Sequence, residues 1–188
     1  RSDGVEISNA SFYNLRIRIS DVPMAAAVAC DDKWMILGED NRALEQVTEE
    51  QIPAGAVRIK GAPFVEKKVG STLLDERSLR ICSTLIAASR TYGLDSMTTI
   101  DISERTNIAL LLEERMQVVL GTETNLTNQV SAMVDILPTL YDHNGADAAG
   151  RLDMRFYTDS DKGWDYKGDY LTRDVISFTD WDAVVLQP

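Results

Sequence analysis

NIALLLEERMQVVLG (residues 107–121), NLTNQVSAMVDILPTL (125–140) and RLDMRFY (151–157) are the stretches that decide how this chain folds. In the first, Ile108, Leu110 and Leu112 alternate with Ala109 and Leu111, so both faces of the strand are apolar and it belongs in the middle of a sheet. Glu113-Glu114-Arg115 turns the chain, and Met116, Val118 and Leu120 bring it back as a hairpin that Gly121 ends. Thr124 or Asn125 caps a helix whose Leu126, Val130, Met133, Val134 and Leu137 share a face that can cover the sheet. A turn-rich loop from Asp142 to Gly150 follows. Leu152, Met154 and Phe156 then alternate with Arg151, Asp153, Arg155 and Tyr157 in a closing strand.

Working outward, Thr98 to Ser103 reads as a strand with Ile100 and Ile102 inward, and Glu104-Arg105-Thr106 as the turn into the hairpin. Before it, Asp75 opens a helix with Leu79, Cys82, Leu85, Ile86 and Ser89 on one face, and Gly93 ends it. Phe12 to Ser20 alternates as a half-buried strand that Pro23 stops, whereas Arg1 to Ser11 carries no clear period. Ala25–Ala29 and Trp34–Leu37 are short strands of a meander, with turns at Asp31-Asp32-Lys33 and Gly38-Glu39-Asp40-Asn41. Val47 to Gln51 is polar and acidic, Ala56 to Ile59 is briefly apolar, and Gly61, Pro63 and Gly70 mark a loop. These elements predict an α+β fold: a mainly antiparallel sheet with two packed helices.

The chain has 188 residues, 44% of them hydrophobic, enough for one core or one core with a small module. Its formal net charge of −11 repels phosphate backbones and anionic lipid, which argues against nucleic acid as a partner. Asp159, Asp161, Asp165, Asp169, Asp174, Asp180 and Asp182 crowd the end of the chain, as a solvated acidic tail or as a surface for a basic partner segment. The chain starts at Arg1 and has no apolar run of membrane-spanning length, so it reads as a piece of a longer protein.

No catalytic constellation stands out. Cys30 and Cys82 fit no zinc or redox spacing, and whether they pair stays open. His143, the one histidine, sits in a turn signature, Asp142-His143-Asn144-Gly145. Asp159 to Asp165 resembles the start of a calcium loop, but Tyr170 stands where an EF-hand needs its bidentate Glu. Asp101 and Asp153 are candidate paired carboxylates for a hydrolase, although both alternate with core residues and read as surface acids. No cofactor motif is present. Phe156, Tyr157, Trp164, Tyr166 and Tyr170 form the densest aromatic stretch. It is either core and edge packing, or an exposed sheet edge to which a partner adds a strand.

Taken in order, three stretches resemble the extracytoplasmic part of the FtsQ/DivIB family of bacterial division proteins. Leu15 to Ala25 resembles the family's junction between a POTRA module and the β domain, Ile100 to Gly121 its strand pair ending in Leu-Gly, and Gly150 to Phe156 its closing strand, with Gly163-Trp164 just beyond. Family members commonly carry a Lys near the start of the second helix, where this chain has Asn128-Gln129. The resemblance implies the end of a POTRA-like module over residues 1–24, a β domain over 25–170 and an acidic C-terminal tail over 171–188. It implies a non-enzymatic divisome scaffold on the extracytoplasmic side of the septum, with one membrane span before Arg1 and partners similar to FtsB/DivIC and FtsL. The partner surface it implies is Arg155, Phe156, Gly163 and Trp164, to which the aromatic stretch adds Tyr157. Alternatives are a POTRA-containing secretion or outer-membrane accessory protein, and a carboxylate-dependent hydrolase using Asp101 or Asp153.

Overall fold

The computed structural model describes residues 2–11, 14–21, 24–155 and 183–185, with the backbone alone for the strands before residue 26 and for 183–185. Strands β1 (Ser2–Ser11) and β2 (Asn14–Asp21) form an antiparallel pair of their own. The register places Val5 opposite Ile19 and Ile7 opposite Ile17, while Glu6 meets Arg18 and Ser8 meets Arg16. The segment read as lacking a period is therefore a strand. Its apolar residues, Val5, Ile7 and Ala10, show no sustained alternation until the partner strand is known.

The other strands form one sheet: β3 (Met24–Cys30), β4 (Lys33–Gly38), β5 (Ala43–Val47), β6 (Arg58–Lys60), β7 (Met97–Asp101), β8 (Ile108–Leu112), β9 (Met116–Gly121), β10 (Gly150–Asp153) and β11 (Ala183–Val185). Their order is β11-β10-β9-β8-β7-β6-β3-β4-β5. Two antiparallel meanders, β3–β4–β5 and β7–β8–β9, carry the longer ladders. Strand β6 joins them by parallel pairing on both sides, and β10 and β11 extend the sheet in parallel. With two α-helices among the described residues, α1 (Glu76–Tyr92) and α2 (Leu126–Asn144), the fold is α+β and mostly antiparallel.

One row of paired residues crosses the sheet: Met35, Val28, Ile59, Ile100, Leu110, Val118 and Leu152. All are buried in the main core, together with Ile81, Cys82 and Leu85 of α1 and Val130, Met133 and Leu137 of α2. Both helices therefore lie on this face. Each connects two parallel strands, α1 between β6 and β7 and α2 between β9 and β10, the crossover that parallel neighbours require. On the opposite face Ala27, Trp34, Ile36 and Val47 make a second, smaller core.

Helix α1 begins and ends as its sequence dictates. The Asp75 carboxylate accepts from the Ser78 amide at 2.7 Å, and Gly93 closes the helix at φ 71°. Helix α2 runs further than the turn signature at 142–145 suggests. It carries Pro138 inside it and continues to Asn144, which donates to the Leu140 carbonyl, before Gly145 ends it at φ 91°. His143 is thus an exposed residue of the last helical turn. Cys30 and Cys82 are free thiols, both buried in the main core.

Candidate partner-binding site

Strands β6, β7, β9 and β10 run the same way, so their C-terminal ends share one rim of the sheet with the N-termini of both helices. The closing strand ends there. It is shorter than the alternation through Tyr157 predicts, because sheet pairing covers Gly150–Asp153 and Arg155 already stands in a turn. Strand β10 is not the last strand either, since β11 pairs with it in parallel from Arg151 to Asp153. The three residues of β11 lie inside the stretch set apart as an acidic tail.

Asp153 corrects the expectation of a surface acid. It is 2% exposed, and its carboxylate accepts from the Arg155 amide at 3.1 Å and from Arg155 Nε at 2.9 Å, with the Arg155 terminal nitrogen donating as well. Alternation did place Asp153 off the helix-covered face, but that face is also sealed here, where the neighbouring Val119 is 2% exposed. The Asp153 carboxylate, through its hydrogen bonds and its charge, raises the Arg155 guanidinium above its ordinary range. The Arg155 side chain keeps 38% of its surface in solvent. A buried acid thus fixes an exposed cation directly after β10.

Gln129 locks the same rim from the helix side. It is 3% exposed, and its Nε2 donates to the Leu120 carbonyl at 2.8 Å and the Met154 carbonyl at 3.1 Å, the ends of β9 and β10. Its Oε1 is buried without a partner. Gly121 sits between them at φ 87°, where a Cβ would approach Arg155 Cγ to 3.0 Å. Asn125 takes the cap position of α2 in a left-handed conformation, φ 60°, and its side chain makes no capping bond. An open cleft of about 460 Å³ lies among Thr106, Gly121, Thr122, Thr124, Gln129 and Arg155. Beside it, Glu123 pairs with Arg77 at 3.5 Å and Arg80 at 3.2 Å, tying the β9–α2 turn to α1.

Of the residues singled out for partner binding, Arg155 lies on this rim, while Phe156, Tyr157, Gly163 and Trp164 lie outside the described residues, as does the calcium-like stretch from Asp159. Asp101 and Asp153 fall on one line across the sheet through Ala109 and Val119. Three strand spacings separate them, about 14 Å, which exceeds the ~5–9.5 Å of a glycosidase pair. Asp101 is instead engaged by Ser103, whose amide donates at 2.9 Å and hydroxyl at 2.6 Å. Among the described residues, no group of three or more His, Cys, Asp or Glu side chains could hold a metal ion. No helix among them is long and apolar enough to cross a membrane.

Sequence reasoning missed Gln129, Asp153 and Gly121 as the parts that build the rim. Their signals were a polar pair early in an apolar helix, an acid two residues before an arginine, and a glycine in a strand-to-helix turn.

Among solved structures, the chain is similar to a domain of a bacterial division protein. That relative is the major extracytoplasmic domain of the trans isomer of the bacterial cell division protein DivIB from Geobacillus stearothermophilus, 15% identical, with a TM-score of 0.36. The match covers 66% of this chain and 98% of that one. It is a distant likeness. No family model matches the chain, and no curated protein matches it.

Proposed function

We propose that the chain is a non-enzymatic scaffold of the bacterial divisome. It holds membrane division proteins similar to FtsB/DivIC and FtsL on the extracytoplasmic side of the septum. Two of the three stretches behind the sequence resemblance support this reading, since residues 100–121 and 150–155 lie on adjacent strands of one sheet, β7–β8–β9–β10. The observation that carries the site is Arg155, held by the buried Asp153 at the end of β10 with its side chain still in solvent. Arginine and aromatic residues are the favoured anchors of protein interfaces, and Phe156, Tyr157, Gly163 and Trp164 follow Arg155 in the sequence.

The test is calorimetric titration of the chain with a purified FtsB/DivIC-type protein from its own organism. Phe156→Ala and Trp164→Ala should each weaken binding by about 1–3 kcal/mol, within the range of interface anchors. Unchanged affinity in both variants removes the site. Absence of binding by the wild type removes the function.

A further inference from the structure

We propose that β11 is a built-in occupant of the partner edge, a short strand of the chain itself that a longer partner strand replaces. This rests on the divisome reading above, in which a partner adds to the end of the sheet.

The backbone of β10 shows what is at stake. The Gly150 amide donates to the Arg115 carbonyl at 3.1 Å and the Met154 amide to the Val119 carbonyl at 2.7 Å, so both face β9. With a period of two, Leu152 belongs with them, and the backbone groups of Arg151 and Asp153 point the other way, toward β11. Without β11 those donors and acceptors form an open sheet edge, which another strand can complete.

The present occupant is minimal. Its ladder consists of Arg151 with Ala183, Leu152 with Val184, and Asp153 with Val185. The β8–β9 ladder, by comparison, runs from Ile108 to Leu112. Parallel pairing is also slightly less stable per residue than antiparallel. Its receiver is rigid, because β10 is bonded to β9 along its inner side and clamped by Gln129 and Asp153 at its end. A rigid edge under a weak strand suits exchange.

The register also states what a replacing strand must look like. Val184 stands at the position of Leu152, the end of the apolar row that crosses the sheet on the helix-covered face. The partner segment is therefore extended, carries an apolar residue at that position, and offers backbone groups to Arg151 and Asp153.

The experiment uses the full chain with Val184→Pro, which removes the strand's central amide, and Val184→Asp, which puts a charged residue in register with Leu152 and leaves the backbone free. Amide exchange and affinity for the purified FtsB/DivIC-type protein are measured in each. Exchange at Arg151 and Asp153 should rise at least tenfold, while Leu152 and Met154, bonded to β9, report an intact sheet. Partner affinity should tighten about tenfold, because a site closed most of the time is weakened by its closed fraction. Unchanged exchange at Arg151 and Asp153 in both variants overturns the inference. Faster exchange with equal or weaker partner affinity also overturns it, and leaves the divisome reading standing because the wild type still binds. Binding by none of the forms removes the divisome reading and the displacement with it.

Discussion

Gln129 offers the sharpest test of how the rim is held. Gln129→Leu keeps the bulk and the helix but withdraws both donated bonds, leaving the Leu120 and Met154 carbonyls without that donor. Each loss costs about 1–1.5 kcal/mol in a buried setting. Removing the unpartnered Oε1 returns roughly 1 kcal/mol, for a net loss of about 1–2 kcal/mol. In a chain of 188 residues that is a fall in Tm of roughly 2–8 °C. Gln129→Glu separates hydrogen bonding from shape. Burial and two facing carbonyl oxygens raise its carboxyl above the ordinary value of about 4.3. The native state then holds the proton more tightly than the unfolded chain, so stability falls as pH rises between the two values and the loss is complete above the native one. Urea unfolding of wild type and both variants at several pH values measures this. The deficit of Gln129→Glu against wild type should grow from pH 5 to pH 8. A Gln129→Leu protein within about 0.5 kcal/mol of wild type, or a Gln129→Glu deficit that shrinks as pH rises, would refute the reasoning.

Other expectations follow from single sites. Gly61 has φ 71°, and a Cβ there would fall on the backbone of Ser103; Gly61→Ala should therefore cost about 3 kcal/mol or more in urea unfolding, and a cost below about 1 would contradict the contact. Asp75→Ala removes the α1 cap and should cost about 1 kcal/mol at neutral pH. The Ser78 side chain beside Asp75 and the Ser78 amide bonded to it hold this carboxyl below its ordinary value, with Arg77 and Arg105 adding to the effect. The cap's contribution is thus complete above the ordinary carboxylate range and disappears as pH falls through the depressed native value, so the two proteins should converge in acid; a deficit independent of pH would contradict the cap. The Cys82 thiol is 2% exposed and pushed up to about 12, mainly by burial and further by the charge of Asp75. A thiol reagent at pH 8 should leave Cys30 and Cys82 unmodified in the folded chain and label both in urea; rapid native labelling of Cys82 would show that its surroundings open.

Elements that bury a whole apolar pattern were legible from the sequence. The β8–β9 hairpin and α1 announce themselves by period and by their turn and cap residues, because a face that must stay dry constrains every position along it. Strand β6 was not legible. Of Arg58, Ile59 and Lys60 only Ile59 is buried, and the strand is central because β3 and β7 flank it, which no local pattern records. Strand β5, AlaLeuGluGlnVal at the sheet's other edge, carries too many polar residues to read as a strand. Asp153 failed for a related reason. Alternation gives the face a residue points to, and says nothing of whether that face is wet. The occupant of the β10 edge was hidden by distance, since Ala183–Val185 is three residues long and lies about thirty positions downstream.

The rim gathers polar devices beside the apolar main core, and the topology explains why. Two parallel crossovers on one face bring strand ends and helix starts together, and each strand end there leaves backbone groups that no ladder satisfies. Asp75 serves the start of α1, Gln129 the ends of β9 and β10, and Asp153 the turn at Arg155. The last two also fix β10, whose outer edge is the one a partner would meet. A strand that is already ordered loses little further freedom when another strand docks, so more of the contact energy appears as affinity. Loosening the rim should therefore weaken partner capture even where no contact residue changes. Gln129→Leu joins the two tests: if the proposed edge is correct, the variant loses partner affinity together with stability, and Asp75→Ala, acting at α1, loses stability alone.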